Sequence, residues 1–318
     1  MDTKWMRRLG SAIGPVVAGA IALTVGLAKP EHARADGETE AAEKRERCAT
    51  RISVALLGKS ATPELLAAQN PQDSVDGLLA DPAFIERFAR FANAQFNDQP
   101  GEELAEDASY TLAKFVLADP KLKWEQMFVG AYDVADAVTP DADGLGYFRS
   151  AAWMKRYAGN EEAGYRIAAA YRMMQNTTGL KLTATTNVEG VDLTADGRKA
   201  AACKGCHYDG WFALDLVSKV LSKRKGEGNN ITYTAPNEGP QKVLGGQTIA
   251  SDDQLVKALV ASENFKFNSC RLAFQFLYGR AESTCEGQVF DKCIDAFGAA
   301  GTMQSAITAI AKDPTFCQ

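Results

Sequence analysis

Cys203, Cys206 and His207 stand together in the stretch Cys203-Lys204-Gly205-Cys206-His207. Two thiols three residues apart on a helical turn project to one side, so both can form thioethers with the two vinyl groups of one porphyrin. The imidazole that follows the second thiol is then placed to ligate iron from the proximal side. One covalent haem c is therefore the expected cofactor, attached through Cys203 and Cys206, with His207 as the iron ligand. A C-x-x-C pair also serves dithiol redox chemistry, but in a thioredoxin-like βαβ context and a cytosolic chain. A zinc site calls for more ligands, usually a second Cys/His pair at knuckle spacing, and the sequence offers none.

The second axial ligand decides what such a haem could do. The chain has two histidines, His32 and His207. His32 falls in a segment expected to be removed, which excludes ligation by two histidines within one mature molecule. A methionine ligand would suit an electron carrier and raise its potential. Met127, Met154, Met173, Met174 and Met303 are available, with Met303 and Met174 as distal candidates. Each sits in an apolar helical context, where core filling is the plainer reading. Three functions stay open: electron transfer, a haem-dependent oxidoreductase of peroxidase or oxidase type with an open distal side, and a surface binding module with structural haem.

Residues 1–35 read as a secretory signal. Lys4, Arg7 and Arg8 precede an apolar run over 9–28, and Ala33-Arg34-Ala35 offers small residues around a cleavage point. The rival reading is an uncleaved anchor, since 9–28 is just long enough to span a bilayer, but Pro15 and the glycines weaken it as a spanning helix. No later stretch approaches transmembrane length, so the mature form is not expected to span a membrane. It would act in the periplasm or at the cell surface. The net charge of −5 becomes more acidic once the basic leader is lost, which argues against nucleic acid as a partner. A redox partner protein is expected instead. Lys219, Lys223, Arg224 and Lys225 form a basic cluster, readable as a helix C-terminus complementing its dipole or as a docking patch for an acidic redox partner.

The elements around the motif read as all-α, with minor β in loops. An N-terminal helical domain is expected over 36–190 and a haem domain with a helical tail over 191–318. Residues 36–47 form a charged leader. Thr62-Pro63, Asp81-Pro82, Asp119-Pro120 and Asp313-Pro314 are helix-start signals. Phe84, Phe88 and Phe91 fall on one helical stripe, read as core. Further helices are expected over 124–138, 151–157, 161–175, 251–260, 265–278, 289–297 and 303–311. Arg166 and Arg172 should be exposed on the 161–175 helix. Asp141-Ala142-Asp143-Gly144 resembles a calcium loop but lacks its later ligands, so a solvated turn is expected there. Residues 180–191 are partly alternating and mark the domain boundary. Thr194-Ala195-Asp196 should cap a helix running through 199–202 into Cys203. The loop over 226–247 should hold one strand at 231–234.

On these residues the chain resembles planctomycete- and myxobacterial-type cytochrome-like proteins built from domains of unknown function. The likeness rests on Cys203-Lys204-Gly205-Cys206-His207 with Trp211-Phe212-Ala213-Leu214, on Gly245-Gly246-Gln247-Thr248-Ile249, on Ser262-Glu263-Asn264-Phe265, on Leu277-Tyr278-Gly279-Arg280 and on the tail 309–316. Residues 56–63 and 78–84 are similar in the N-terminal half. The chain lacks the Asp-Pro usual shortly after the haem histidine and has Asp215 where the family has Glu. The resemblance implies haem and export, with no established reaction.

Outside the motif stand Cys48, Cys270, Cys285, Cys293 and Cys317. In an oxidising compartment these would pair. The expected bridges are Cys285–Cys293, across the turn at Gly287, and Cys270–Cys317, by antiparallel return of the last helix, leaving Cys48 unpaired.

Overall fold

The computed structural model describes residues 31–97, 107–158, 166–182, 189–227 and 230–318, with side chains from residue 39 onward. Most of the expected export signal therefore lies outside the described residues. Ala42–Gln318 form one compact unit, which holds the core and the Cys203–His207 motif. Helices make up 61% of the described residues and strands 7%, so the architecture is predominantly helical with small sheets. No helix among the described residues is long and apolar enough to cross a membrane.

The first helix, α1 (Glu31–Leu57), already covers the stretch expected as a charged leader. From residue 39 to 47 its side chains are almost all exposed, so the residues are solvated as expected but helical. The short helices α2 (Pro63–Leu66) and α3 (Val75–Leu78) follow. Thr62 caps α2 by accepting from Leu65 N at 3.3 Å, and Asp81 caps α4 (Pro82–Phe96) by accepting from Ala83 N at 2.7 Å. Each side-chain oxygen satisfies an N–H that has no partner within the helix. Phe84 and Phe88 of α4 are fully buried. Phe88 meets Phe276 edge-on at 4.9 Å and Trp124 at 5.8 Å, confirming the aromatic stripe as core.

Helix α5 (Ala108–Ala118) packs along α4. No helix starts at Asp119-Pro120; Asp119 instead accepts from Lys121 N in a turn. The helix expected over 124–138 is also cut short. It is α6 (Gln126–Val129), followed by an antiparallel hairpin of β1 (Tyr132–Val134) and β2 (Val138–Pro140). Gly130 ends α6 in extended backbone, and a Cβ there would lie 2.2 Å from the Tyr132 ring. Asp141–Gly144 is a turn closed by Asp141 accepting from Asp143 N at 3.0 Å.

Helices α7 (Ala151–Arg156) and α8 (Arg166–Thr178) come next. The start expected for α8 at 161 lies outside the described residues. Arg166 and Arg172 are not free solvent-facing charges. Arg166 pairs with Glu238 at 2.7 Å and donates to Ser218 O, while Arg172 lies over the Tyr157 and Tyr171 rings. The alternating stretch 180–191 is described only at its ends.

The motif segment contributes α9 (Ala201–His207) and α10 (Leu214–Lys219). Two antiparallel hairpins follow where a loop with one strand was expected: β3 (Lys223–Lys225) with β4 (Thr232–Thr234), and β5 (Gln241–Val243) with β6 (Gln247–Ile249). The basic cluster is therefore split. Lys219 ends a helix, but Lys223, Arg224 and Lys225 form a strand, and Lys223 reaches Asn237 at 2.6 Å and Glu238 at 3.3 Å. The tail is α11 (Asp252–Val260), α12 (Glu263–Tyr278), α13 (Gly287–Ala300) and α14 (Met303–Ala311). Gly279 and Gly301 close α12 and α13 in left-handed backbone at φ +68° and +73°, a conformation that glycine adopts without steric cost.

The bridges differ from both expected pairs. Cys48 joins Cys317, and Cys270 joins Cys293, with Cα separations of 4.8 and 5.9 Å. α12 and α13 are packed neighbours, and Cys270 and Cys293 are both fully buried between them. Cys285 stays exposed in the 3₁₀ turn Thr284–Glu286. Cys317 is held near α1 because Arg51 donates to Gln318 O at 2.9 Å and stacks over Phe316 at 4.8 Å. Cys48, one turn before Arg51, then meets it.

Non-reducing peptide mapping should link Cys48 to Cys317 and Cys270 to Cys293. A double Cys48→Ala, Cys317→Ala variant should lose about 2–4 kcal/mol in a denaturant titration. A linked peptide containing Cys285 would contradict this pairing.

Candidate functional site

The approach to the motif is built from two short helical pieces, not one helix. Thr194 accepts from Gly197 N at 3.3 Å and opens a 3₁₀ turn, Gly197–Lys199. Ala200 then adopts ψ 150°, which breaks the helix before α9 restarts at Ala201. Arg198, on the 3₁₀ turn before the break, is 9% exposed, whereas no residue of α9 is buried.

Cys203 and Cys206 are unpaired thiols, the first half-buried and the second exposed. After His207 the chain turns at Gly210 (φ +73°), where a Cβ would lie 3.0 Å from Gly205 O. Trp211 O accepts from Leu244 N at 2.9 Å, which moors the returning chain next to the β5–β6 hairpin. Ala213 follows at φ +29°, in a region that residues with a Cβ seldom occupy. This strained residue opens α10, whose Leu214 and Val217 are buried; α10 packs on α8 and β5.

That turn brings Asp215 back onto the motif. Its Oδ2 lies 2.7 Å from His207 Nδ1. Arg198 grips the same carboxylate, with Nε at 3.2 and 3.1 Å from the two oxygens and Nη2 at 2.7 Å from Oδ1. Arg198 also donates through Nη1 to Leu193 O. The Tyr208 hydroxyl donates to Ala195 O at 2.8 Å and stands 3.3 Å from Asp215 Oδ1.

Asp215 is 5% exposed, and a buried carboxylate is tolerated only when paired and hydrogen-bonded. Its hydrogen bonds hold the Arg198 guanidinium more firmly protonated than usual, against the effect of burial. Burial and then the Asp215 charge push the Tyr208 hydroxyl up, so it remains a neutral donor.

The donor set suits a covalently held haem. An Nδ1–H engaged by a carboxylate leaves the Nε2 lone pair for a metal, the tautomer that a ligating imidazole needs. Both thiols are unbonded and sit on one short helix with that imidazole. Val191 and Leu193, in the segment leading to Arg198, are 43% and 54% exposed, and Trp211 and Phe212 are half-buried. Apolar surface therefore lies near the motif in sequence on both sides. Among the described residues no cluster of three or more His, Cys, Asp or Glu is arranged to hold a metal ion.

The distal candidates lie in the core. Met174 on α8 is fully buried and Met303, at the start of α14, is 1% exposed. Met127, Met154 and Met173 are buried as well. Helix α14 packs on α3, α12 and α13.

Sequence reasoning identified Cys203, Cys206 and His207 but missed the roles of Arg198, Tyr208 and Ala213, and saw in Asp215 only a departure from a family pattern. One available signal was Asp215 itself: a lone acid in the apolar run 211–220 must be either exposed or paired.

No family model, curated protein or solved structure matches this chain.

Removing Arg198 leaves Asp215 buried without its cation. Arg198→Ala should cost about 3–5 kcal/mol, and Tyr208→Phe about 1 kcal/mol, both read by chemical denaturation. Equal effects for the two variants would mean that the ion pair does not anchor the site.

Proposed function

We propose that the protein is an exported mono-haem c-type cytochrome that transfers electrons in the periplasm or at the cell surface. The observation that carries the reading is the geometry at the motif: two unbonded thiols on one helix with an imidazole whose Nδ1 is already engaged. Cys203 and Cys206 anchor the cofactor covalently, His207 ligates its iron, and Asp215 keeps the imidazole oriented. Bound there, haem supplies one-electron chemistry. The segment 191–318 is the haem domain in this reading, and residues 1–35 are its export signal. The two bridges among the remaining cysteines agree with an oxidising compartment. Membership of the planctomycete- and myxobacterial-type cytochrome-like proteins is part of the same proposal, resting on the motif and the helical tail. The partner is a redox protein, not nucleic acid.

A haem-dependent oxidoreductase is the second reading. It is favoured by the carboxylate on His207, because a partner of this kind raises the basicity of a metal-bound imidazole. Added cyanide separates the two: a ferric spectrum that shifts favours the oxidoreductase, and an unchanged one the carrier.

Exported protein extracted with acidified organic solvent should keep its haem, since thioethers survive the treatment. The double Cys203→Ala, Cys206→Ala variant should lose it. Complete release from the unaltered protein would overturn the proposal.

A further inference from the structure

A haem's potential depends on its axial ligand and on what that ligand is bonded to. His207 Nδ1 contacts a full carboxylate, Asp215 Oδ2, at 2.7 Å, not a neutral carbonyl. A carboxylate draws the Nδ1 proton toward itself and leaves more electron density on Nε2. Ferric iron gains more from that density than ferrous iron does. The effect is strong here because Asp215 is 5% exposed and little water screens its charge.

Arg198 opposes it. Its guanidinium shares both carboxylate oxygens and takes up part of their charge. The Tyr208 hydroxyl at 3.3 Å is neutral and contributes less.

We propose that Asp215 is the positioning residue that sets the tautomer of His207 and holds the site at a low reduction potential, with Arg198 limiting how low. The inference rests on the haem reading above. It describes an electron donor of low potential, whose partner must be an acceptor of higher potential.

The test is a spectroelectrochemical titration of the full exported protein and three variants, each first checked for covalent haem and for unchanged circular dichroism. Asp215→Asn retains an oxygen that can accept from Nδ1–H but removes the charge. It should favour the ferrous form about tenfold, a rise of about 59 mV for a one-electron couple. Arg198→Gln removes the opposing charge and should lower the potential. Tyr208→Phe should leave it nearly unchanged. Shifts of opposite sign at Asp215 and Arg198 are the result expected, and general damage to the fold would not produce them. Haem-loaded variants that all titrate with the unaltered protein would overturn the inference while leaving the haem reading intact. Protein that exports without covalent haem would overturn both. If Asp215→Asn does not fold, Arg198→Gln decides alone: a fall supports the inference, and no change or a rise overturns it.

Discussion

The buried carboxylate of Asp215 depends on the fold on every side. At 5% exposure it is bracketed by His207 Nδ1 at 2.7 Å on one side and the Arg198 guanidinium at 2.7 Å on the other, and removing one partner of a buried pair is strongly destabilising. Arg198 is held by its bond to Leu193 O, and Asp215 by the start of α10 after the strained Ala213. A seven-residue helix with no buried residue has little packing of its own. α9 is therefore positioned by what surrounds it: the 3₁₀ turn before, the Gly210 turn after, and the His207–Asp215–Arg198 contact that joins them.

Farther out, α10 rests on α8, and α8 rests on α4, α11 and α12. One cluster of buried side chains runs from Cys48 to Phe316 and includes Leu214, Val217 and Val220 next to the motif. A second buried ion pair supports the hairpin region. Arg149 binds Asp252 at 2.7 Å, Ser222 donates to the same carboxylate, and Arg149 lies over Tyr233 at 5.0 Å. The α12–α13 bridge and the Cys48–Cys317 bridge fasten the tail, where Asp313 binds Lys292 at 2.7 Å and accepts from Thr315. Burial alone would raise the Asp313 carboxyl, but those hydrogen bonds outweigh it and hold it below the ordinary range.

Local signals made much of this legible. Helices with a capping side chain, such as α4 after Asp81 and α11 after Ser251, begin where the sequence places them, and α14 matches at both ends. The failures came where a nonlocal contact decided. An apolar stretch expected as one helix over 124–138 became a short helix and a hairpin, and the chain beyond them returns onto the end of α6, where Gly146 N donates to Gly130 O at 2.7 Å and Tyr147 N to Met127 O at 3.2 Å. The cysteine pairs depended on which helices lie side by side, which neither spacing nor turn chemistry reveals. The thiols and imidazole of the candidate site lie within five residues of one another, so a single short helix, α9, is enough to bring them together. Arg198 and Asp215 lie 17 residues apart, and only the turn at Gly210 brings them together.

In the proposed reading Cys203 and Cys206 carry one haem with His207 beside them. Tandem mass spectrometry of the proteolytic peptide spanning 203–207, taken from the exported protein, tests it most directly. One haem on this peptide, bonded to both thiols, is the expected result. A peptide with both thiols unmodified, or with Cys203 bonded to Cys206, would contradict it.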